Sequence, residues 1–184
     1  VGAPGVENIK KIELLPKKEL EKALNFKFGD RNILVCYHPQ TIYGSKKAEK
    51  FSEVLDAFEN LAGVKFIFTM PNVDCGGEEI SSAIKNFVAK NNKRAVVFDS
   101  LGKKLYFSVM KIADAVAGNS SSGIIEAPSF KIGTVNIGRR QNGRARSESV
   151  IDCPADSREI IKAFDKLYSE EFQKKLAGVK NIYE

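Results

Sequence analysis

The sequence predicts an α/β fold, a doubly wound parallel sheet, on three observations. Short, nearly continuous apolar runs rich in β-branched residues recur along the chain, as expected of strands buried on both faces. Segments with helical spacing of apolar residues separate them, and that alternation implies parallel strands joined by crossover helices. Most of the runs end in a cluster of Gly, Pro, Asn, Asp or Ser, the chemistry of a turn.

Lys17 to Leu24 reads as a short helix after Pro16, a favourable residue at a helix start. The first strand is Asn32-Ile33-Leu34-Val35-Cys36-Tyr37, closed by His38-Pro39-Gln40-Thr41. From Lys46 to Leu61 the residues Phe51, Val54, Leu55 and Phe58 fall at helical spacing, and Gly63 ends the segment. Val64 to Met70 is a second strand; it runs into Pro71-Asn72-Val73-Asp74-Cys75-Gly76-Gly77, after which Ile80, Ile84, Phe87 and Val88 mark a helix. Ala95 to Phe98 is a third, followed by Asp99-Ser100-Leu101-Gly102 and a helix through Leu105, Val109 and Ile112. Val116 lies in a fourth, which exits through Gly118-Asn119-Ser120-Ser121-Ser122-Gly123. Ile132 to Ile137 is a fifth, with Gly138-Arg139-Arg140-Gln141 at its end, and Val150 to Cys153 reads as a sixth, ahead of an amphipathic helix carrying Ile160, Ile161, Phe164 and Leu167.

At 184 residues, 43% apolar and 28% charged, the chain has the size of one well-buried domain. No apolar run approaches the roughly 20 residues of a membrane span, and no secretory apolar segment lies near Val1, so no membrane partner is expected. A net charge of +6 favours an anionic partner. The basic residues lack the interleaved aromatics of a stacking platform, which argues against nucleic acid. Cys36, Cys75 and Cys153 include no CxxC pair; Cys36 and Cys153 read as buried free thiols, and the odd count fits a reducing cytoplasm. His38 is the sole histidine, which excludes a histidine-rich metal site, and no metal or other cofactor is expected.

Ligands of doubly wound sheets bind beyond the carboxyl ends of the strands. That rule gathers His38, Asn72, Phe98 with Asp99 and Ser100, Ser120 to Ser122, and Arg140 into one site, because all of them follow strands directly. The stretch Gly118 to Ser129 is the most suggestive. Serines ahead of a helical run cap it, and free amides backed by the helix dipole attract anions. Glu126 lies about one turn further in, suited to accept hydrogen bonds from sugar hydroxyls. The stretch therefore reads as a phosphate cradle with a ribose-reading acid, the alternative on these residues alone being an ordinary capped helix. Arg139, Arg140, Arg144 and Arg146 share a loop with Gly138 and Gly143, where bidentate guanidinium groups suit phosphate.

Tyr37-His38-Pro39, Phe68 to Gly77, Phe98-Asp99-Ser100-Leu101-Gly102, Gly118 to Ala127 and Arg140-Gln141-Asn142-Gly143-Arg144 resemble, in order and spacing, the hydrolysing UDP-N-acetylglucosamine 2-epimerases of sialic-acid-type pathways. The resemblance implies the second lobe of a glycosyltransferase-B-like fold, with residues 1–16 an interlobe linker and residues 17–184 a UDP-binding domain. It implies that His38 is catalytic, near the diphosphate and the reacting sugar. Asn72 and the backbone at Phe98 would contact the nucleotide, Ser120 and Ser121 the phosphates and Glu126 the ribose hydroxyls, with Arg140 lining the same pocket. In such enzymes UDP is eliminated to leave a glycal-like intermediate, and water adds to give N-acetylmannosamine.

The family's proton-moving carboxylates come from the first lobe. The sequence is therefore expected to be a piece of a longer enzyme, to bind UDP or UDP-N-acetylglucosamine weakly and not to turn over alone. A homo-oligomer is compatible with the full-length enzyme. Competing readings are the nucleotide-sugar lobe of a glycosyltransferase, a UDP-diacetamido-sugar hydrolase and 2-epimerase of a legionaminic-type pathway, and a noncatalytic nucleotide-binding module. Three positions depart from the family pattern. Lys131 and Gly133 stand where a glycine and a proline are usual, and Arg139 where an acidic or small residue is. Glu78 and Ser82 replace the basic residues that serve nucleotide feedback in animal relatives, so no such regulation is expected.

Overall fold

The computed structural model describes residues 4–39, 51–71 and 77–184. Its sheet comprises β1 (Arg31–Cys36), β2 (Val64–Thr69), β3 (Ala95–Phe98), β4 (Ala115–Gly118), β5 (Gly133–Ile137) and β6 (Val150–Cys153). All neighbours pair in parallel, in the order β3-β2-β1-β4-β5-β6, a Rossmann-like arrangement. Every apolar run read as a strand is present, within a residue or two of the expected ends.

The helices are α1 (Pro4–Lys11), α2 (Lys17–Leu24), α3 (Phe51–Asn60), α4 (Gly77–Lys90), α5 (Gly102–Ile112), α6 (Ser122–Ile125), α7 (Ser157–Leu167) and α8 (Glu170–Gly178). Of the helix expected over Lys46 to Leu61, residues 46–50 lie outside the described residues. Helices α1 and α8 were not read from the sequence. In α8 only Phe172 and Leu176, one turn apart, are buried, too few apolar positions for a clear period; Ser169 marks its start by accepting the Phe172 N–H at 3.3 Å.

Strand alternation sorts the core into two layers. Ile33, Val35, Phe66, Phe68, Val135 and Ile137 face α3, α4, α7 and α8, while Leu34, Ile67 and Val116 face α2 and α5. Phe58 of α3 stacks on Phe66 of β2, with centroids 4.7 Å apart. Arg94 sits 5.6 Å over Phe66 and donates to the carbonyls of Phe58 (3.1 Å) and Leu61 (3.0 Å), satisfying acceptors at the end of α3.

The departures at 131 and 133 have a common structural setting. Lys131 follows a 3₁₀ turn, Ala127–Phe130, in the left-handed conformation (φ 55°) that glycine adopts without steric cost, and its ammonium donates to Ala177 O at 2.9 Å. A Cβ at Gly133 would stand 2.2 Å from Leu167 Cδ1 and 3.2 Å from Phe172. Leu167 thus occupies the space that a proline ring would take, and glycine is what lets α7 pack so closely.

The strand order reverses between β1 and β4, so crossovers leave to opposite faces there. That divergence opens a crevice at their carboxyl ends.

Candidate nucleotide-binding cleft

A cleft of about 790 Å³ occupies that crevice. It is walled by Cys36 and His38 after β1, Thr69 to Pro71 after β2, Asp99 to Gly102 after β3, Tyr106 on α5, Ser122 and Glu126, with Gly5 of α1 at its edge.

Gly118 and Asn119 hold the crevice together. Gly118 has φ 129°, and a Cβ there would lie 2.2 Å from Cys36 O, so only glycine allows β4 to leave the sheet this close to β1. Asn119 is wholly buried. Its N–H donates to Cys36 O (3.2 Å), its Oδ1 accepts the His38 N–H (2.7 Å), and its Nδ2 donates to His38 O (2.9 Å). Its own carbonyl accepts Arg140 Nη1 (3.1 Å) and Gln141 Nε2 (2.8 Å). One side chain and its backbone therefore tie the exits of β1, β4 and β5 together. Asn119 and Gln141 stand in the motifs of the sequence, but the pattern alone gives neither a role. A Gly-Asn pair closing a buried strand was the available signal, since a buried Asn must find several partners.

The serines are arranged differently from expectation. Helix α6 spans only four residues, Ser121 precedes it with helical backbone angles and makes no side-chain cap, and Glu126 stands at its C-terminal end rather than a turn inside it. A helix of four residues carries little dipole, and the groups gathered here are hydroxyls. Ser122 donates its Oγ proton to Ser120 Oγ (3.1 Å), Ser120 Oγ also receives the Ser122 N–H (3.4 Å), and the Tyr106 hydroxyl lies 2.5 Å from Ser122 Oγ. Tyr106 was not singled out in the sequence, where it sits between Leu105 and Phe107 on an otherwise apolar stretch. Burial, first, and the neighbouring Cys36 push its phenol above the ordinary value.

The Glu126 carboxylate has little support among the described residues. Its Oε2 is buried without a hydrogen-bond partner among the described residues, and Oε1 lies close enough to Gly5 that a Cβ there would collide with it. Burial raises its carboxyl above the ordinary range, opposed less strongly by its own backbone N–H and by the charge of Arg144.

His38 and Glu126 thus line the cleft directly, and Ser120 reaches it through Ser122. Ser121 is half-buried beside them. Phe98 flanks the cleft, with its side chain in the second core and its carbonyl accepting the Met70 N–H at 2.9 Å. Arg140 is exposed and lies outside the set of residues that line the cleft. Asn72 lies outside the described residues, as does Cys75. No cluster able to hold a metal ion occurs among the described residues, and none of their helices is long and apolar enough to cross a membrane.

The family model described as UDP-N-acetylglucosamine 2-epimerase matches residues 1–184. The chain belongs to that family. The GDP/UDP-N,N'-diacetylbacillosamine 2-epimerase (hydrolyzing) of Campylobacter jejuni is 40% identical over 173 residues, covering 94% of this chain and 44% of that protein. The UDP-GlcNAc 2-epimerase from Neisseria meningitidis bound to UDP-GlcNAc superposes with a TM-score of 0.65 at 16% identity, over 97% of this chain and 47% of that one. Sucrose-phosphate synthase from Thermosynechococcus elongatus does so with a TM-score of 0.56 at 13% identity, over 92% and 46%. The chain spans a little under half the length of each, and its fold is the second lobe of the glycosyltransferase-B-like architecture that epimerases and glycosyltransferases share.

Within this epimerase lobe the arginine loop is held together by one of its own arginines. Arg146 is spent on the loop itself: its Nε pairs with Asp152 at 3.0 Å, Nη1 donates to Arg144 O (2.9 Å) and Nη2 to Gln141 O (3.1 Å). Both described cysteines are buried free thiols, as expected. The Cys153 thiol is pushed up to about 12 by burial and by Asp152, which leaves it inert, whereas Cys36 Sγ lies 3.5 Å from His38 Nε2 at the cleft wall.

Proposed function

We propose that this lobe holds the UDP portion of a nucleotide-sugar in a hydrolysing 2-epimerase. The observation that carries the reading is Glu126, whose carboxylate faces the cleft with a buried oxygen that no described residue donates to. Burying such an acceptor is costly until donors arrive. The adjacent 2′ and 3′ hydroxyls of a ribose supply two donors at the spacing of a carboxylate's two oxygens. On this reading Ser120 and Ser121 serve the phosphates, His38 and Arg140 the same end of the pocket, and the Phe98 backbone the nucleotide; Asn72, outside the described residues, keeps the nucleotide role that the family resemblance implies.

In the proposed reaction a base removes the proton at C2 of the sugar as the bond from C1 to the diphosphate oxygen breaks, leaving a glycal-like intermediate and UDP. Water then adds across the double bond, its oxygen to C1 and a proton to C2 from the opposite face, inverting C2. This lobe's task is to stabilise the charge growing on the departing diphosphate, where preorganised donors act with little reorganisation. The carboxylates that exchange protons at C2 belong, by family resemblance, to the lobe this chain does not span. The 40% identical relative favours a diacetamido sugar over N-acetylglucosamine as the group carried.

Calorimetric titration with UDP tests the reading. The chain binds UDP, and Glu126→Ala weakens binding about tenfold, the worth of a hydrogen bond to a charged group, with a melting temperature no lower than that of the wild type, since the variant sheds a buried carboxylate without donors. Equal affinity in a folded Glu126→Ala variant removes the ribose assignment. Release of the free 2-epimerised sugar from UDP-N-acetylglucosamine by this chain alone overturns the division of labour between lobes.

A further inference from the structure

We infer that Tyr106 is a positioning residue: acting through Ser122, it fixes the direction in which the Ser120 hydroxyl donates, aiming that proton at the phosphate end of the bound nucleotide. The inference rests on the nucleotide reading of the cleft and adds a residue to it. Its basis is a count of protons. A serine hydroxyl has one proton. With the Ser122 proton directed to Ser120 Oγ at 3.1 Å, the 2.5 Å contact between Ser122 and Tyr106 is made with the phenol as donor, Cys36 being the phenol's other hydrogen-bond neighbour.

Ser120 Oγ in turn accepts twice, from the Ser122 hydroxyl and from the Ser122 N–H at 3.4 Å. Its own proton goes to no acceptor among the described residues and is left for a ligand. The order of donation thus runs from Tyr106 to Ser122 to Ser120 and outward, each bond polarising the next. Burial keeps the Tyr106 phenol protonated at any working pH, so the first donor of the chain does not switch off. Without Tyr106 the Ser122 hydroxyl is free to turn its proton elsewhere, and Ser120 loses its fixed role as a donor to an anion.

The test compares UDP with uridine, which has the base and ribose but no phosphate, on the wild-type chain and on Tyr106→Phe, Ser122→Ala and the double variant, with thermal melts to confirm folding. Tyr106→Phe keeps the ring and its edge contact with Phe107. Expected is a loss of about five- to tenfold in UDP affinity for Tyr106→Phe, with uridine affinity unchanged. The double variant should be no weaker than Ser122→Ala alone, because both changes cut one chain of donors. Unchanged UDP affinity in Tyr106→Phe, equal losses for UDP and uridine, or additive losses in the double variant would overturn the positioning role while leaving the nucleotide site standing. A wild-type chain that binds UDP no better than uridine would instead defeat the phosphate reading, and this inference with it.

Discussion

Two loops leave neighbouring strands at the same end of the sheet, and both carry residues suited to anions. After β4 come small hydroxyls, and after β5 come arginines. In the β4 loop the tight structural work is done by Gly118 and Asn119, which leaves the serines partly exposed at the cleft with a donor to spare. In the β5 loop the most charged groups do the structural work themselves: Arg146 holds Asp152 and two carbonyls, and Arg140 reaches Asn119 O. Formal charge therefore does not by itself say which loop has donors left for a ligand. A guanidinium has five donors, and a loop without regular structure has many carbonyls that need them.

The contrast breaks most decisively at Gly118. Gly118→Ala puts a methyl 2.2 Å from the Cys36 carbonyl in a backbone region closed to alanine, and is expected to cost about 3 kcal/mol or more in chemical denaturation. A stable Gly118→Ala would mean the two strand exits can part without penalty. Asn119→Ala removes two hydrogen bonds to the His38 backbone; about 2 kcal/mol of stability should go, together with UDP binding. Next come paired substitutions that set the loops against each other. Arg146→Ala should cost about 1–2 kcal/mol through its carbonyl contacts, the half-exposed ion pair adding little, and change UDP affinity less than about twofold. Ser120→Ala should do the reverse, lowering UDP affinity about tenfold with the melting temperature unmoved. If Arg146→Ala lost affinity and Ser120→Ala did not, the roles of the loops would have to be exchanged.

Strands, their order of burial and the site's location were legible because they follow from local patterns: apolar runs place β1 to β6, and the end of each run places His38 and the serines. What was not legible depends on contacts far apart in the chain. Asn119 matters through His38, 81 positions away, and Tyr106 through Ser122 on another element. The shortness of α6 follows from Pro128, which turns the chain into a 3₁₀ segment at Ala127–Phe130 and strands Glu126 between two elements instead of inside one. That Arg146 is held within its own loop was not legible, because one of its acceptors, Asp152, is brought to it only when β6 pairs with β5.

The smallest expected effect is a dependence of binding on pH, and it isolates Glu126 from both loops. The folded, unliganded protein holds the Glu126 proton above the ordinary value of 4.5, chiefly because the carboxyl is buried. Ribose hydroxyls donate more strongly, and to both oxygens, when the carboxyl is ionised, so binding favours release of that proton. Uridine affinity should therefore rise with pH from the ordinary carboxylate value through the raised one and level off above it, and uridine, unlike UDP, has no phosphate titrating in this interval. Glu126→Gln should flatten the profile. The same raised value makes the folded state bind more protons than the unfolded one, so stability without ligand should fall as pH rises through that interval. Asp114 is raised in the same direction by burial, at the opposite end of β4, where it accepts the Asn32 N–H. Glu126→Gln should hence abolish the slope in binding but only part of the slope in stability. A variant that kept the binding slope would show that another group reads the ribose, whereas one that lost both slopes entirely would show that Asp114 contributes nothing to the acid branch.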